Sequence, residues 1–385
     1  MLAAGLAAGT CGIGSLTRFT HAGRAHVAAE VAESARPLPG RLPPATLRRL
    51  SHPDRFALRA AAEACAAAGL DADAGGDVGV YVGTTTGGMR ETEEAYRRRS
   101  AGEDARFRLS RLLGTPLATA AAAVSQALGL YGPRETVSTA CSSSALAVAM
   151  GADAVRRGVV PVALAIGTDA LCRLTYAGFD ALQALDVEPC RPFDRDRQGL
   201  SLGEGAAALV LESAAHARAR GACPRAVVLG WAATGDAHHP TAPHPAGAGA
   251  AAALTGALAA AGVPPDAVAY VNAHGTGTKQ NDAVEVEVLR RVFGRRLVRM
   301  PVSATKSQLG HCLGAAGAVE AVVTVIALGE GLLPPTVNLR HLDPAWDDLD
   351  LVPEPGRRAA LDVAVTSSYG FGGHNVSLVL GRASR

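Results

Sequence analysis

The chain has 385 residues, 48% hydrophobic but only 4% aromatic, so it can bury a large core built from Ala, Val and Leu. Its 37 basic and 35 acidic residues leave a net charge of +2, which argues against polyanion binding; an acidic partner would have to be met by a local patch. Seven cysteines, an odd number with no C-x-x-C pair, fit neither a disulfide framework nor a zinc site and point to a reducing cytoplasm.

The opening "MLAAGLAAGTCGIG" lacks a positively charged n-region, and Thr10 precedes Cys11 where a lipoprotein box needs a small residue, so no secretion signal is read there. "VGVYVGTTTGG" (78–88) is a strand ending in a Gly- and Thr-rich turn. "ETVSTA" leads into an Ala-rich helix spanning 141–157 that stops at Gly158. "PVALAIGTDA" and "GAAALVLES" are further buried strands. "GACPRAVVLGWAATGDAHHPTAPHPAGAG" reads as a strand and an exposed loop. Helices over 250–261 and 283–293 alternate with "AVAYVNAHGTGT", "MPVSATKS" and "DVAVTSSYGFGG", short apolar strands with polar, Gly-rich ends. The most apolar helix, 313–328, carries Glu320 in its middle and is too short to span a bilayer, so no membrane association is expected.

Apolar strands alternating with helices imply α/β architecture with mostly parallel sheets covered on both faces, whose sites gather at the strands' C-terminal ends. "VSTACSSSALAVAMGADAVRRG" and "VSATKSQLGHCLGAAGAVEAVVTVIALGEG" share an order of strand, polar turn, Ala-rich helix and glycine. Two similar halves are therefore expected, over residues 1–223 and 224–385.

Four strand ends carry reactive groups: Cys141 in "TACSSS", His274 in "NAHGTGT", Lys306 and His311 in "SATKSQLGHCLG", and Phe371 in "SYGFGGHN". Each alone has a bland alternative. A cysteine can be structural, a strand-end histidine usually only satisfies hydrogen bonds, and glycines usually mark a turn. A thiol in the first turn of a helix, however, has the positive helix end beside it to stabilise a thiolate. A thiol with two histidines and no metal spacing suits thioester chemistry: one group attacks, backbone N–H groups hold the oxyanion, and neutral imidazoles stabilise an enolate. A cysteine protease would leave the second histidine unexplained. Of the 37 basic residues only Lys279 and Lys306 are lysines, so either can mark a place that needs a compact ammonium.

From about residue 5 to the C-terminus the chain resembles a β-ketoacyl-acyl carrier protein synthase, the elongating, two-histidine type of the thiolase-like superfamily. The resemblance rests on the Cys141 motif, "RPFDRDRQGLSLGEGAAALVLE", "VNAHGTGTKQND", "TKSQLGHCLGAAGAVE" and "YGFGGHNVSLVL". It implies a thiolase-like fold of two halves, each with a mixed, mostly parallel five-stranded sheet, layered α-β-α-β-α. It further implies that Cys141 is acylated and that His274 and His311 promote decarboxylation of a malonyl thioester. The N–H groups of Cys141 and Phe371 would form the oxyanion hole, and Phe371 would gate the site. Lys306, paired with Glu320, would support His311. Thr276 and Thr278 would hold the phosphopantetheine arm, with Phe179 and Gly372 also on the substrate side. No resident cofactor is implied, since phosphopantetheine arrives on the acyl carrier protein. The other expected partner is a second subunit, either a copy of this chain or a ketosynthase-like chain; no nucleic acid is expected.

Thr86 stands where elongating synthases often have an aliphatic residue at the acyl-pocket floor, and Gln183 where a base often meets the carrier. Arg48, Arg49 and Arg55 form another basic cluster that would steer an acidic carrier, or simply a solvated face. A non-catalytic partner subunit would lack the nucleophile present here. A thiolase would need a second cysteine near the C-terminus, and "GFGGHN" has none. Relatives also begin with a strand ahead of the stretch matching "LAAGTCGIGSLTRF" (6–19). The resemblance places that strand in the middle of the first half's sheet, paired on both sides, so the natural chain is expected to start upstream of Met1.

Overall fold

The computed structural model describes residues 2–32, 37–70, 77–102 and 109–383. Its main strands are β1 (Val78–Gly83), β2 (Arg134–Val137), β3 (Val162–Asp169), β4 (Gly205–Glu212), β5 (Ala226–Gly235), β6 (Tyr270–Asn272), β7 (Val302–Ser303), β8 (Val363–Gly370) and β9 (His374–Arg382). The helices that cover them are α1 (His52–Ala68), α2 (Thr119–Leu128), α3 (Ser143–Arg156), α4 (Arg173–Ala181), α5 (Ala248–Ala261), α6 (Lys279–Phe293) and α7 (Ala316–Glu330). Local sequence sets many of these limits. In α1, Ser51 accepts from the Asp54 N–H while the Asp54 carboxylate accepts from the Ser51 N–H, and Gly69 ends the helix at φ +64°. Such a box satisfies two orphan donors, and the left-handed stop suits glycine.

The first sheet has the order β2-β1-β3-β4, and the second β5-β9-β8-β6-β7. Within each sheet one strand, β4 or β9, runs antiparallel to its neighbours and the rest are parallel. All eight residues of β3 are buried, as expected for a strand covered on both faces. Helices α1 and α2 cover the outside of the first sheet, and α5 with α6 the outside of the second. Between the sheets lie α3 and α7, each touching both. They pack closely because their crossing is made of small residues. A Cβ on Gly317 would stand 2.5 Å from the Ala145 nitrogen, and the first-turn N–H of Ala318 finds the Ser144 hydroxyl at 2.8 Å. The five layers are thus α-β-α-β-α.

Two sequence expectations need correction. The apolar helix runs with its leading 3-10 turn over Leu313–Glu330, 18 residues, which is long enough to cross a membrane. It is nevertheless 67% buried, in the middle layer. The second correction concerns the first sheet, which has four strands among the described residues. No gap exists in its middle, because β1 and β3 pair directly from Val78↔Val162 to Gly83↔Gly167. In the second sheet β5 lies at the edge, antiparallel to β9. The corresponding place in the first sheet is the outer edge of β4, whose residues after Gly205 are only half-buried. A strand there would be an edge strand, so its backbone groups can meet water.

Candidate active site

Cys141 stands in the turn between β2 and α3. The helix starts at Ser143, with Ser142 as its N-cap, so the thiol precedes the first helical turn instead of belonging to it. The turn is tight: Ala140 adopts φ +50°. The serines after the cysteine hold it. The Ser142 hydroxyl donates to the Thr139 carbonyl at 2.8 Å, and the Thr139 N–H donates to the Ser143 hydroxyl at 2.8 Å. Ser144 reaches across to α7. A Cβ on Gly370 would lie 2.6 Å from the Thr139 carbonyl oxygen, so glycine is what lets the end of β8 approach the cysteine. The N–H of the next residue, Phe371, favours the ionised form of the Cys141 sulfur. Burial pushes the Cys141 thiol up to about 11, and the Lys306 charge and the Phe371 N–H offset only part of that. Desolvation thus works against the thiolate that the nearby positive dipoles favour.

His274 follows β6 on a loop pinned by two buried carboxylates of α6. Glu285 accepts from the N–H groups of His274 (2.7 Å) and Gly275 (2.8 Å). Asp282 accepts from those of Thr276 (3.1 Å), Gly277 (3.2 Å) and Phe193 (2.9 Å). Burial pushes the Glu285 carboxyl up to about 7 against these bonds. Sequence reasoning passed over both residues. Their signal was two acids in the first two turns of a helix that follows a Gly-rich strand end. The Thr276 and Thr278 hydroxyls lie 2.9 Å apart, and Thr278 caps α6.

Lys306 is buried below this loop. Its ammonium is paired with Glu320, reaches the His274 carbonyl at 2.6 Å and stands 3.1 Å from His274 Nδ1. Burial raises the Glu320 carboxyl, and Lys306 pulls it back. The direct contact of Lys306 is with His274, and its charge also reaches His311. His311 instead receives the Leu313 N–H on Nδ1 at 3.1 Å. Burial holds both imidazoles well below their ordinary value, and the Lys306 charge adds to it. Both are therefore neutral, with Nδ1 occupied by a donor and the proton on Nε2. Their rings meet edge to face at 5.5 Å. The Lys306 charge is felt by Cys141 and both histidines, so the four groups share one buried neighbourhood. The other lysine, Lys279, lies exposed at the start of α6.

Phe371 stacks on Phe179 of α4, with centroids 5.4 Å apart and planes 18° from parallel, and Gly372 donates its N–H to the Pro240 carbonyl at 2.7 Å. Thr86 is buried, but its hydroxyl donates to the Asp169 carboxylate at 2.8 Å, which gives it a partner other than a substrate. Arg48, Arg49 and Arg55 do not join this centre. They line a separate cavity of about 590 Å³ with Arg18, Arg90 and Arg173. Arg55 donates to the Leu50 and Leu47 carbonyls, while Arg48 and Arg49 are exposed.

A two-half, five-layer α/β fold with a cysteine and two neutral histidines at converging strand ends defines a thiolase-like acyltransferase of the Cys-His-His kind. Family models described as "Beta-ketoacyl synthase, N-terminal domain" and "Beta-ketoacyl synthase, C-terminal domain" match residues 2–217 and 225–340, and the chain belongs to the β-ketoacyl synthase family. It is 39% identical over 319 residues to 3-oxoacyl-[acyl-carrier-protein] synthase 2 of Synechocystis sp., covering 80% of this chain and 75% of the relative. It is 42% identical over 326 residues to nodulation protein E of Rhizobium meliloti (strain 1021), covering 84% and 80%. Among solved structures, the ishigamide ketosynthase/chain length factor superposes with a TM-score of 0.92 at 35% identity, covering 99% of this chain and 94% of that one. A type II PKS acyl-carrier protein in complex with its ketosynthase bound to the hexaketide gives 0.88 at 27% identity, covering 98% and 94%.

Proposed function

We propose that this chain catalyses decarboxylative Claisen condensation between an acyl group on Cys141 and malonyl-acyl carrier protein, in fatty-acid, polyketide or polyene assembly. The observation that carries the reading is the pair of neutral imidazoles whose Nδ1 atoms are both occupied, leaving two Nε2–H donors.

In the first half-reaction the Cys141 sulfur attacks the acyl thioester. The oxyanion is held by the N–H groups of Cys141 and Phe371, and the carrier thiol leaves with the cysteine proton. A thiol pushed up to about 11 is mostly protonated at neutral pH, so the attacking thiolate is a small fraction that grows as pH rises. In the second, the malonyl thioester oxygen accepts from Nε2–H of His274 and of His311. The C–C bond to the carboxylate breaks, carbon dioxide leaves, and the enolate stays bound by the two donors. Its carbon attacks the acyl thioester, and Cys141 departs as the leaving group. Histidines held neutral supply donors without a proton to lose, which suits an enolate better than an acid would.

Thr276 and Thr278 hold the phosphopantetheine arm, which arrives on the carrier, so no resident cofactor is needed. Phe371, against Phe179 and beside Gly372, gates the two acyl substrates, and Thr86 helps set the floor of the acyl pocket. Arg48, Arg49 and Arg55 steer the acidic carrier. The halves divide at residues 223 and 224, the working unit is a dimer with itself or a ketosynthase-like chain, and the setting is the cytoplasm. The alternative, a non-catalytic chain-length partner, is disfavoured by the presence of Cys141 with both histidines. Incubation with acyl-carrier and malonyl-carrier tests the reading: β-ketoacyl-carrier should form and Cys141 should carry the intermediate. Acyl adduct without any condensed product would defeat it.

A further inference from the structure

Asp169, the last residue of β3, is fully buried, and its carboxylate gathers an unusual set of donors. Oδ1 accepts from the Thr84 hydroxyl, the Thr86 N–H and the Thr86 hydroxyl, each at 2.8 Å. Oδ2 accepts from the Thr85 hydroxyl at 2.6 Å and from the Gly314 N–H at 2.7 Å. The Thr85 N–H is shared between both oxygens at 3.0 Å. These donors leave neither oxygen of the buried carboxyl group without a partner. A Cβ on Gly314 would stand 2.7 Å from Oδ2, so glycine is what admits the carboxylate.

The residue before Gly314 explains why this grip matters. Leu313 adopts φ +52°, a left-handed conformation that a leucine does not take unaided. In that conformation its N–H meets His311 Nδ1 at 3.1 Å. We propose that Asp169 is a positioning residue: by holding the Gly314 N–H it keeps Leu313 in its strained turn, and the Leu313 N–H then holds the His311 proton on Nε2. Given the reading above, that is the donor the malonyl thioester needs. Asp169 does this through Gly314 and Leu313, at one remove from His311.

The test is nitrogen NMR of the full chain with labelled histidine, beside the two half-reactions measured separately. In the wild type, His311 should show a protonated Nε2 and a hydrogen-bonded, unprotonated Nδ1. Each carboxylate oxygen faces a backbone N–H that can only donate, so whichever way Asp169→Asn turns its N–H₂ one of them is opposed; His311 should become a mixture of tautomers while His274 keeps its signature. Malonyl-carrier decarboxylation should fall about tenfold or more, and acylation of Cys141 by less than about threefold. A merely structural role would depress both steps together and leave the His311 tautomer alone. Thr84→Val removes one donor from the other oxygen and should keep the His311 signature. A His311 signal unchanged in Asp169→Asn overturns the proposal. So does a wild-type His311 protonated on Nδ1, a result that stands even if Asp169→Asn fails to fold. If the wild type does not decarboxylate malonyl-carrier at all, the proposed function falls, while the NMR result still decides the role of Asp169.

Discussion

The ammonium of Lys306 lies 3.1 Å from Nδ1 of His274 and 2.6 Å from the carbonyl oxygen of the same residue. One side chain therefore fixes both the tautomer of the imidazole and the path of the loop that carries it. Its countercharge, Glu320, is equally buried, so the pair stands or falls together.

Lys306→Met should destabilise the protein by about 3–5 kcal/mol, because it leaves the Glu320 carboxylate buried without a cation. Lys306→Met combined with Glu320→Leu should recover most of that loss, since an apolar pair needs no compensation. Chemical denaturation of the three variants measures it. A double variant no more stable than Lys306→Met would contradict the coupling.

Cys141→Ala should carry no acyl group after incubation with acyl-carrier, read by intact mass spectrometry. A stable adduct on that variant would place the nucleophile elsewhere.

His274→Ala and His311→Ala should each lower malonyl decarboxylation by roughly 10²–10³, the loss expected for one oxyanion donor. Acylation of Cys141 should suffer less, because the backbone donors at Cys141 and Phe371 remain. Equal losses in both half-reactions would count against this division of labour.

The two steps should also differ in their response to pH. The Cys141 thiol is pushed up to about 11, so at pH 7 it is protonated, and acylation should quicken as pH rises from 7 to 9. Both imidazoles are held well below their ordinary value, so they are already neutral across that range and decarboxylation should stay level. A decarboxylation rate that drops as pH climbs above 6.5 would mean that an imidazolium is required.

Much of this was legible in the chain. Alternating apolar strands and Ala-rich helices announced a layered α/β fold, and Cys141, His274, Lys306, His311 and Phe371 stood at strand ends where such folds gather their sites. Those features are local: periodicity, turn residues and motif spacing act within a few residues. What the chain could not disclose depends on segments meeting across the middle layer. Lys306 meets His274 instead of His311 because the end of β6 lies beside β7 in one sheet, a matter of sheet order. The middle of the first sheet has no room for a further strand, because β1 and β3 close on each other. The Cys141 thiol is raised because burial, which only the packed layers create, outweighs the backbone dipole that its sequence position suggested. Asp169 drew no notice as one acid at the end of an apolar strand. Its six donors come from Thr84, Thr85, Thr86 and Gly314, residues 83 to 145 positions away, and only the tertiary fold brings them to one carboxylate.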